Sequence, residues 1–249
     1  MQLTIVGCAG SFPGPASAAS CYLVEADGFR LLLDLGSGAL GSLQRVASLA
    51  DVDAICLSHQ HADHCLDMCS YAVARAIYPA GPLTAIPVYA PARTQERLSR
   101  AVGLRPGTSM EEAFDFVTLA PGTTEIGPLR VTAERMEHPI ETFGFRVEHG
   151  GGAVAYSADT GPAEALVALA RGADLLLSEA SFLDGPDLPG GLHLSGRQAG
   201  EHAARAGAGQ LVLTHLVAWN DPERSRAEAA AVFGGPLTVA EAGQVFTVG

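Results

Sequence analysis

Short apolar segments recur along the chain, separated by glycine, proline and polar residues. Segments of strand length predict β-strands, and longer stretches with helical spacing predict amphipathic helices. Predicted strands cover residues 2–7, 20–26, 29–33, 53–57, 85–90, 115–119, 129–135, 142–149, 152–157, 173–178, 210–214, 237–240 and 244–248. Predicted helices cover residues 39–49, 65–78, 93–102, 162–170, 195–206 and 222–232. This order predicts two packed sheets with helices outside, forming one domain over residues 1–249.

Turn-forming residues refine these boundaries. Consecutive glycines at positions 150–152 predict a hairpin turn between two strands. Proline and glycine predict a surface excursion over residues 105–109. Ser195 has the side chain that a helix N-cap requires, and it directly precedes the predicted helical residues 196–206.

Composition limits the class of protein. The chain has 249 residues, of which 48% are hydrophobic, enough to bury a full core. No apolar run reaches the ~18 residues of a membrane helix, and the N-terminus lacks a basic region followed by an apolar stretch, so we expect neither a membrane span nor a signal peptide. The five cysteines show no disulfide-like spacing and are expected to be buried thiols in a reducing cytoplasm.

The charge balance argues against a nucleic-acid partner. The chain has 15 basic residues, all of them arginine, against 27 acidic residues, for a net charge of −12. A polynucleotide-binding protein normally carries a basic stripe that contacts phosphates, and none is visible. The densest basic cluster has helix-like spacing, which favours a solvated helix face or a pocket rim; it comprises Arg93, Arg97, Arg100 and Arg105.

The strongest chemical signal follows the strand-like residues 53–57. Four metal-capable side chains lie within six residues: His59, His61, Asp63 and His64. On a tight turn, the first two could bind one ion, and the other two could hold a second ion. Imidazole and carboxylate ligands suit zinc, with manganese or iron as alternatives. Three of the eight histidines of the chain fall in this hexapeptide, which disfavours a polar loop with chance histidines.

Three further candidate ligands each follow a predicted strand. His138 comes shortly after residues 129–135 and precedes Pro139. Asp159 opens a Gly-Pro turn, and His215 directly follows residues 210–214. Because strand ends are rigid supports on which side chains can converge, we expect these residues to share one site with the hexapeptide.

This pattern resembles the metallo-β-lactamase superfamily, whose His-x-His-x-Asp-His motif is followed by a further His, an Asp and a final His. The resemblance covers nearly the whole chain and includes the segments Leu3–Gly10 and Leu33–Gly36. It implies a mixed α/β (α+β) protein with a four-layer αββα sandwich. It also implies that Asp34 is a hydrogen-bond partner of a metal-bound histidine.

The resemblance implies two divalent ions, with zinc as the first expectation and manganese or iron as alternatives, held by shared His and Asp ligands. These ligands are His59, His61 and His138 for the first ion; Asp63, His64 and His215 for the second; and Asp159 as the bridge.

Within the superfamily, the chain is most similar to the ribonuclease Z branch. The β-lactamases of the commonest class lack a ligand at the position of His64, and glyoxalase II carries a C-terminal helical domain for which too few residues follow His215. The segments Ser178–Ser181 and Leu192–Ser195 match that branch better. This likeness implies that His193 assists the departing oxygen and that Glu179 orients His193.

One departure from ribonuclease Z bears on the substrate. Its tRNA-binding arm is inserted between the positions of His138 and Asp159, where this chain has room only for two strands and a turn. The sequence is therefore closer to armless relatives that include cyclic-nucleotide phosphodiesterases. The expected partner is a small-molecule phosphodiester, with nucleic acid and membrane disfavoured. The resemblance also implies a homodimer.

The expected chemistry is in-line attack of an activated water on phosphorus, with Asp63 orienting the water and His193 assisting the leaving ribose oxygen. Phe143 or Phe145 could stack on a purine, although alternation along a strand favours core packing for at least one of them. Three alternatives remain: hydrolysis of an acyl ester, thioester or lactone at the same site; a single-strand or RNA nuclease; and a metal-binding protein without activity.

Overall fold

The computed structural model describes residues 1–103 and 110–249. The excursion predicted at 105–109 and Arg105 lie outside these residues. In the described ranges, one sheet has seven strands: β1 Gln2–Gly7, β3 Cys21–Ala26, β4 Phe29–Leu33, β5 Ala54–Cys56, β6 Ile86–Ala90, β7 Phe114–Thr118 and β16 Val245–Thr247. Their order across the sheet is β16-β1-β3-β4-β5-β6-β7.

A second seven-stranded sheet faces the first. Its strands are β8 Gly122–Ile126, β9 Leu129–Arg135, β10 Phe143–His149, β11 Gly152–Tyr156, β12 Leu175–Glu179, β13 Gln210–Thr214 and β15 Leu237–Val239. They are arranged as β15-β13-β12-β11-β10-β9-β8. A separate parallel ladder joins β2 Ala9–Gly10 to β14 Leu216–Val217.

The described helices lie on the outer faces and in the connections. They are α1 Ala39–Leu43, α2 Ala62–Cys65, α3 Met68–Ala76, α4 Thr94–Val102, α5 Glu164–Leu169, α6 Gly196–Ala206 and α7 Pro222–Ala230, with a short 3₁₀ turn at Met110–Glu112. Of the helices in the described parts of the chain, none is long and apolar enough to cross a membrane.

The core has three buried layers. Between the sheets, Val24 from one sheet and Phe145 from the other belong to one apolar cluster. Leu98 of α4 belongs to a cluster on the outer face of the first sheet, and Leu166 and Ala203 belong to one on the outer face of the second. Each sheet therefore has a helical layer outside it, which confirms the predicted four-layer αββα sandwich.

Strand direction decides where the site forms. β4 runs parallel to β5 in the first sheet, and β11, β12 and β13 are mutually parallel in the second. Side chains that follow the carboxyl ends of parallel strands meet at one edge of a sheet. Asp34 and His59 follow strands of the first sheet, while Asp159 and His215 follow strands of the second.

Several predicted boundaries are wrong for identifiable reasons. The helix predicted at 39–49 ends at Leu43, and Ser48 then caps a turn by accepting a hydrogen bond from the Ala50 N–H. The helix predicted at 65–78 corresponds to α3, which begins only at Met68, whereas Cys65 ends the preceding helix α2. Asp67 lies between them, and its carboxylate accepts the N–H of Leu40. The sequence pattern does not predict strand β8, because four of its five residues are exposed at a sheet edge and the segment lacks an apolar pattern.

Candidate metal centre

The hexapeptide begins three positions after the end of β5. His59 is completely buried, and Asp63 and His64 lie in the short helix α2, so the predicted tight turn is in fact a helical turn. Gly36 passes so close to α2 that a Cβ at this position would lie 1.9 Å from the Asp63 carbonyl oxygen. A glycine is required there, because any side chain would displace the motif.

The first group of donor atoms comes from three histidines and one carboxylate. His61 Nδ1 lies 3.0 Å from His59 Nε2 and 3.2 Å from His138 Nε2. Asp159 Oδ2 lies 3.6 Å from His59 Nε2 and 4.0 Å from His138 Nε2. The structure therefore brings together all the side chains predicted for the first ion.

The second group lies on the other side of Asp159. His64 Nε2 lies 3.2 Å from His215 Nε2, 3.3 Å from Asp63 Oδ2 and 3.1 Å from Asp159 Oδ1. His215 Nε2 is also 3.0 Å from Asp63 Oδ2. Asp159 thus offers one oxygen to each group, the arrangement expected of a bridging ligand.

Hydrogen bonds to Nδ1 direct Nε2 of three histidines into the site. The Nδ1–H of His64 donates to Asp34 Oδ2 at 2.8 Å, and that of His138 donates to the Leu192 carbonyl at 2.9 Å. His215 Nδ1 lies 2.7 Å from Ser181 Oγ; because this hydroxyl donates to the His215 carbonyl, it accepts from the ring. We assign these tautomers from the partners, and each leaves a lone pair on Nε2.

Asp34 orients one histidine in each donor group. Its carboxylate accepts hydrogen bonds at 2.8 Å from Ser58 Oγ, His64 Nδ1 and Tyr156 Oη. Because the Ser58 hydroxyl donates to Asp34, its lone pair accepts the Nδ1–H of His59 at 2.9 Å. The contact predicted for Asp34 is present, and its extension through Ser58 and Tyr156 was not predicted from the sequence.

Burial and neighbouring charges favour neutral imidazoles and ionised carboxylates in most of the site. Burial holds the pKa of His59 well below its usual value and also lowers the pKa values of His61 and His138. Burial alone would raise the pKa of Asp159, but His215 and His64 outweigh it and hold this pKa well below its usual range. Neutral imidazole and ionised carboxylate are the forms that bind a divalent metal ion.

His64 differs from the other histidines. Burial disfavours its charged form, but the negative charges of Asp159 and Asp34 outweigh burial and raise its pKa well above the usual value. A proton and a metal ion therefore compete for its Nε2, so acid is expected to weaken metal binding.

The donor set fits a pair of divalent ions. Asp159 Oδ1 is buried and has no hydrogen-bond partner among the described residues. A buried carboxylate oxygen without a partner is costly unless a cation compensates it. The two donor groups, each with its atoms within 4.8 Å of one another, supply the His and Asp ligands that zinc, manganese or iron accept.

His193 and Glu179 form a separate pair beside the donor groups. His193 Nδ1 lies 2.9 Å from Glu179 Oε1, and the fully buried Glu179 also accepts hydrogen bonds from the N–H groups of Thr160 and Ser181. Burial lowers the pKa of His193, but the hydrogen bond and charge of Glu179 outweigh it and raise this pKa. Ser195 caps α6 through a capping box, as predicted, and so anchors the segment that carries His193.

The aromatic side chains near the site differ from the two that the sequence suggested for stacking on a purine. Phe143 and Phe145 are fully buried, so the hypothesis that one of them stacks on a purine is wrong. Phe182 instead packs perpendicular to the His193 ring, with centroids 5.2 Å apart. Phe12 and Trp219 form an exposed pair with centroids 5.0 Å apart. The feature of the sequence that could have pointed to this pair is the single tryptophan of the chain, which follows His215 by four positions.

The remaining predictions about side chains hold in part. Arg93, which directly precedes α4, and Arg100 within it are exposed and pair with Glu96 of this helix, which agrees with a solvated helix face. All five cysteines are free thiols; four are buried as predicted, and Cys69 is half-buried.

Comparison with known proteins identifies relatives over the whole chain. A family model described as a β-lactamase superfamily domain matches residues 30–216. An uncharacterised protein of Mycobacterium leprae is 41% identical over 253 residues, covering 100% of this chain and 89% of the relative. A ribonuclease Z of Mycolicibacterium gilvum is 30% identical over 274 residues, covering 97% of this chain and 94% of that protein.

A third relative has a known structure. The probable metallo-hydrolase YhfI of Bacillus subtilis is 30% identical over 249 residues, covering 99% of both chains. The crystal structure of YhfI, described as a metallo-β-lactamase fold protein, matches with a TM-score of 0.89 over 100% of this chain and 99% of that chain. The folds therefore agree over the whole length of the chain.

Proposed function

Because the chain belongs to the β-lactamase superfamily, as a metallo-hydrolase related to YhfI and ribonuclease Z, we propose that it is a binuclear phosphodiesterase. The proposed substrates are small phosphodiesters such as 3′,5′-cyclic nucleotides. The observation that carries the proposal is the His193–Glu179 pair beside two metal-binding donor groups. A ribose oxygen leaves as a strong base and needs a proton, whereas a thiolate leaving group does not, so the pair disfavours a thioester substrate.

Two ions would be held by the two donor groups described above, with Asp159 shared between them. Zinc is the first expectation, and manganese or iron can occupy the same ligand types. When bound, such ions supply positive charge that stabilises anionic oxygen atoms and increases the acidity of water.

The remaining steps belong to side chains of this protein. His64 and His215 hold the pKa of Asp63 below its usual range even though burial opposes them, so the carboxylate is ionised and can orient an attacking water. Glu179 holds the Nδ1–H of His193, which leaves the Nε2–H on the opposite side of the ring for the departing oxygen. Asp34 keeps His59 and His64 in position through Ser58 and a direct hydrogen bond.

A small substrate is favoured over a polynucleotide by the connection between His138 and Asp159. This connection consists of β10, β11 and their hairpin turn, paired in continuous register from Phe145–Tyr156 to His149–Gly152. It contains no inserted arm, and the net charge of −12 provides little attraction for a phosphate backbone.

The pH dependence of turnover is expected to report His193. Glu179 favours the protonated ring, so proton donation persists to higher pH than for an ordinary histidine and is lost as the pH rises through the elevated pKa. Glu179→Gln removes the negative charge that raises this pKa, so the basic limb of the kcat profile is expected to move to lower pH. Glu148→Gln, which alters a carboxylate on β10, serves as the matched control. An unmoved basic limb in folded Glu179→Gln protein would contradict the orienting role.

Hydrolysis of 3′,5′-cyclic AMP tests the proposed function. Metal-loaded protein is expected to form 5′-AMP, with the products separated by chromatography, and chelation should abolish the reaction. A parallel assay with acyl esters, thioesters and lactones provides the comparison. Acyl hydrolysis without phosphodiester hydrolysis would replace the proposal with acyl-transfer chemistry at the same donor groups.

A further inference from the structure

We propose that Phe12 and Trp219 form an aromatic platform that stacks on the base of a nucleotide substrate. This inference rests on the proposed phosphodiesterase function and deepens it by naming a nucleoside phosphodiester as the substrate class. The platform consists of two rings from opposite ends of the chain, with centroids 5.0 Å apart and planes inclined by 41°.

The segment that carries Phe12 lies against the second donor group. β2 pairs with β14, which directly follows His215. A Cβ at Gly10 would lie 2.2 Å from the His215 carbonyl oxygen, so the backbone approaches this histidine as closely as glycine allows. The Ser11 N–H lies 3.4 Å from His215 Nε2. Phe12 is the next residue, so its Cα is only ~3.8 Å farther along the chain.

The segment that carries Trp219 is tied to the same histidine. The neighbouring Asn220 donates from Nδ2 to the Ser181 carbonyl at 2.8 Å, and the Ser181 hydroxyl holds His215 Nδ1 at 2.7 Å. The segment of Phe12 thus contacts His215 directly, and the segment of Trp219 is linked to it through Ser181.

A series of contacts connects the platform to the residue expected to protonate the leaving group. Phe182 directly follows Ser181 and packs against His193, the proposed proton donor. In a cyclic nucleotide, the departing oxygen belongs to the ribose that carries the base. A phosphodiester held between the donor groups, with its leaving oxygen toward His193, therefore directs its nucleoside toward this aromatic side.

Exposure supports a ligand at the platform. Trp219 is 76% exposed and Phe12 is 37% exposed, so both rings are accessible to a ligand. Each is large enough to bury substantial apolar area on contact. Every base has a π-face that can stack on an aromatic side chain, and such stacking tolerates different bases. A purine offers more overlap than a pyrimidine, which predicts a preference for purine nucleotides.

Binding measurements test the platform independently of turnover. Trp219 is the only tryptophan of the chain, so its fluorescence reports this position alone. The metal-loaded protein is expected to show quenching with 5′-AMP and none with ribose 5-phosphate, which has the same phosphate and sugar without a base. Equal responses to both compounds would overturn the inference.

Kinetics of substituted proteins provide the second test. Trp219→Ala and Phe12→Ala are each expected to raise KM for 3′,5′-cyclic AMP about tenfold or more, with kcat within about threefold of the wild type. Ile77→Ala, which alters a side chain that is 73% exposed on the helical side of the first sheet, is the control and should leave KM unchanged. Unchanged KM in Trp219→Ala would overturn the platform while cyclic AMP hydrolysis by the wild type upholds the proposed function.

Two further outcomes distinguish failure of the proposed function from failure of the aromatic platform. If the wild type hydrolyses no phosphodiester, the proposed function fails, and the comparison of 5′-AMP with ribose 5-phosphate still decides whether the rings bind a base. If a second copy of the chain covers the platform, Trp219→Ala will change the sedimentation coefficient of the protein and the fluorescence will depend on protein concentration without nucleotide. That result would overturn the inference.

Discussion

Asp159→Ala is expected to lose bound metal and hydrolytic activity together. Asp159 provides one oxygen 3.1 Å from His64 Nε2 and the other 3.6 Å from His59 Nε2, so the substitution removes an anionic ligand from both donor groups at once. The substitution also removes the negative charge that compensates positive charge next to the buried imidazoles. Loss of metal affinity should exceed the ~10–100-fold that accompanies removal of a residue behind the ligands.

The metal content of dialysed protein, measured by mass spectrometry, checks this prediction. Asp174→Ala is the matched control, because Asp174 precedes β12 at its opposite end and accepts the Ala153 N–H at 2.8 Å. This variant should retain the metal content of the wild type. Asp159→Asn keeps the side-chain volume, so it provides a second test of the same role if Asp159→Ala does not fold. Two bound ions per chain in a folded Asp159→Asn or Asp159→Ala protein would refute the bridging role.

His193→Ala is expected to lower kcat by about 10²–10⁴-fold while both ions remain bound, the range typical of general-acid catalysis. His193 is assigned to proton donation because its Nδ1 is engaged by Glu179 rather than by the donor atoms of the two metal groups. It does lie close to Glu179 and His215 in a third group, so metal content must be measured in parallel.

Leaving-group chemistry sharpens the test of His193. A p-nitrophenyl phosphodiester releases a weakly basic oxygen that needs little protonation, so its hydrolysis should fall much less than that of 3′,5′-cyclic AMP. His149→Ala is the control, since His149 ends β10 and bonds the Pro128 carbonyl away from the site. Equal losses with both substrates, or loss of the ions from His193→Ala, would show that the assigned role is wrong.

Local patterns were enough to find much of the candidate site. Four of the candidate ligands lie within six consecutive residues, and the others follow apolar runs that are recognisable as strands. The prediction that these strand ends converge agrees with the structure, which brings all seven candidate ligands into two adjoining groups. Their role in binding metal remains a prediction.

Contacts that depend on tertiary packing could not be predicted from local sequence patterns. Tyr156 reaches Asp34 across 122 positions, and Phe12 meets Trp219 from the other end of the chain. Neither pair has a spacing that a periodic pattern would reveal. The hydrogen bond from the Leu40 N–H to the carboxylate of Asp67, between α2 and α3, likewise joins segments 27 positions apart.

The sequence alone therefore determined the order of most elements, the sandwich class and the candidate ligands, because periodicity and short motifs report local backbone and side-chain chemistry. Tertiary structure decided which hydrogen bonds orient those ligands, which aromatic rings border the site and which are buried in the core. Phe145 and Trp219 illustrate the difference: the burial of each ring depends on which sheet or loop lies opposite, and that is set by strand register and packing between distant segments.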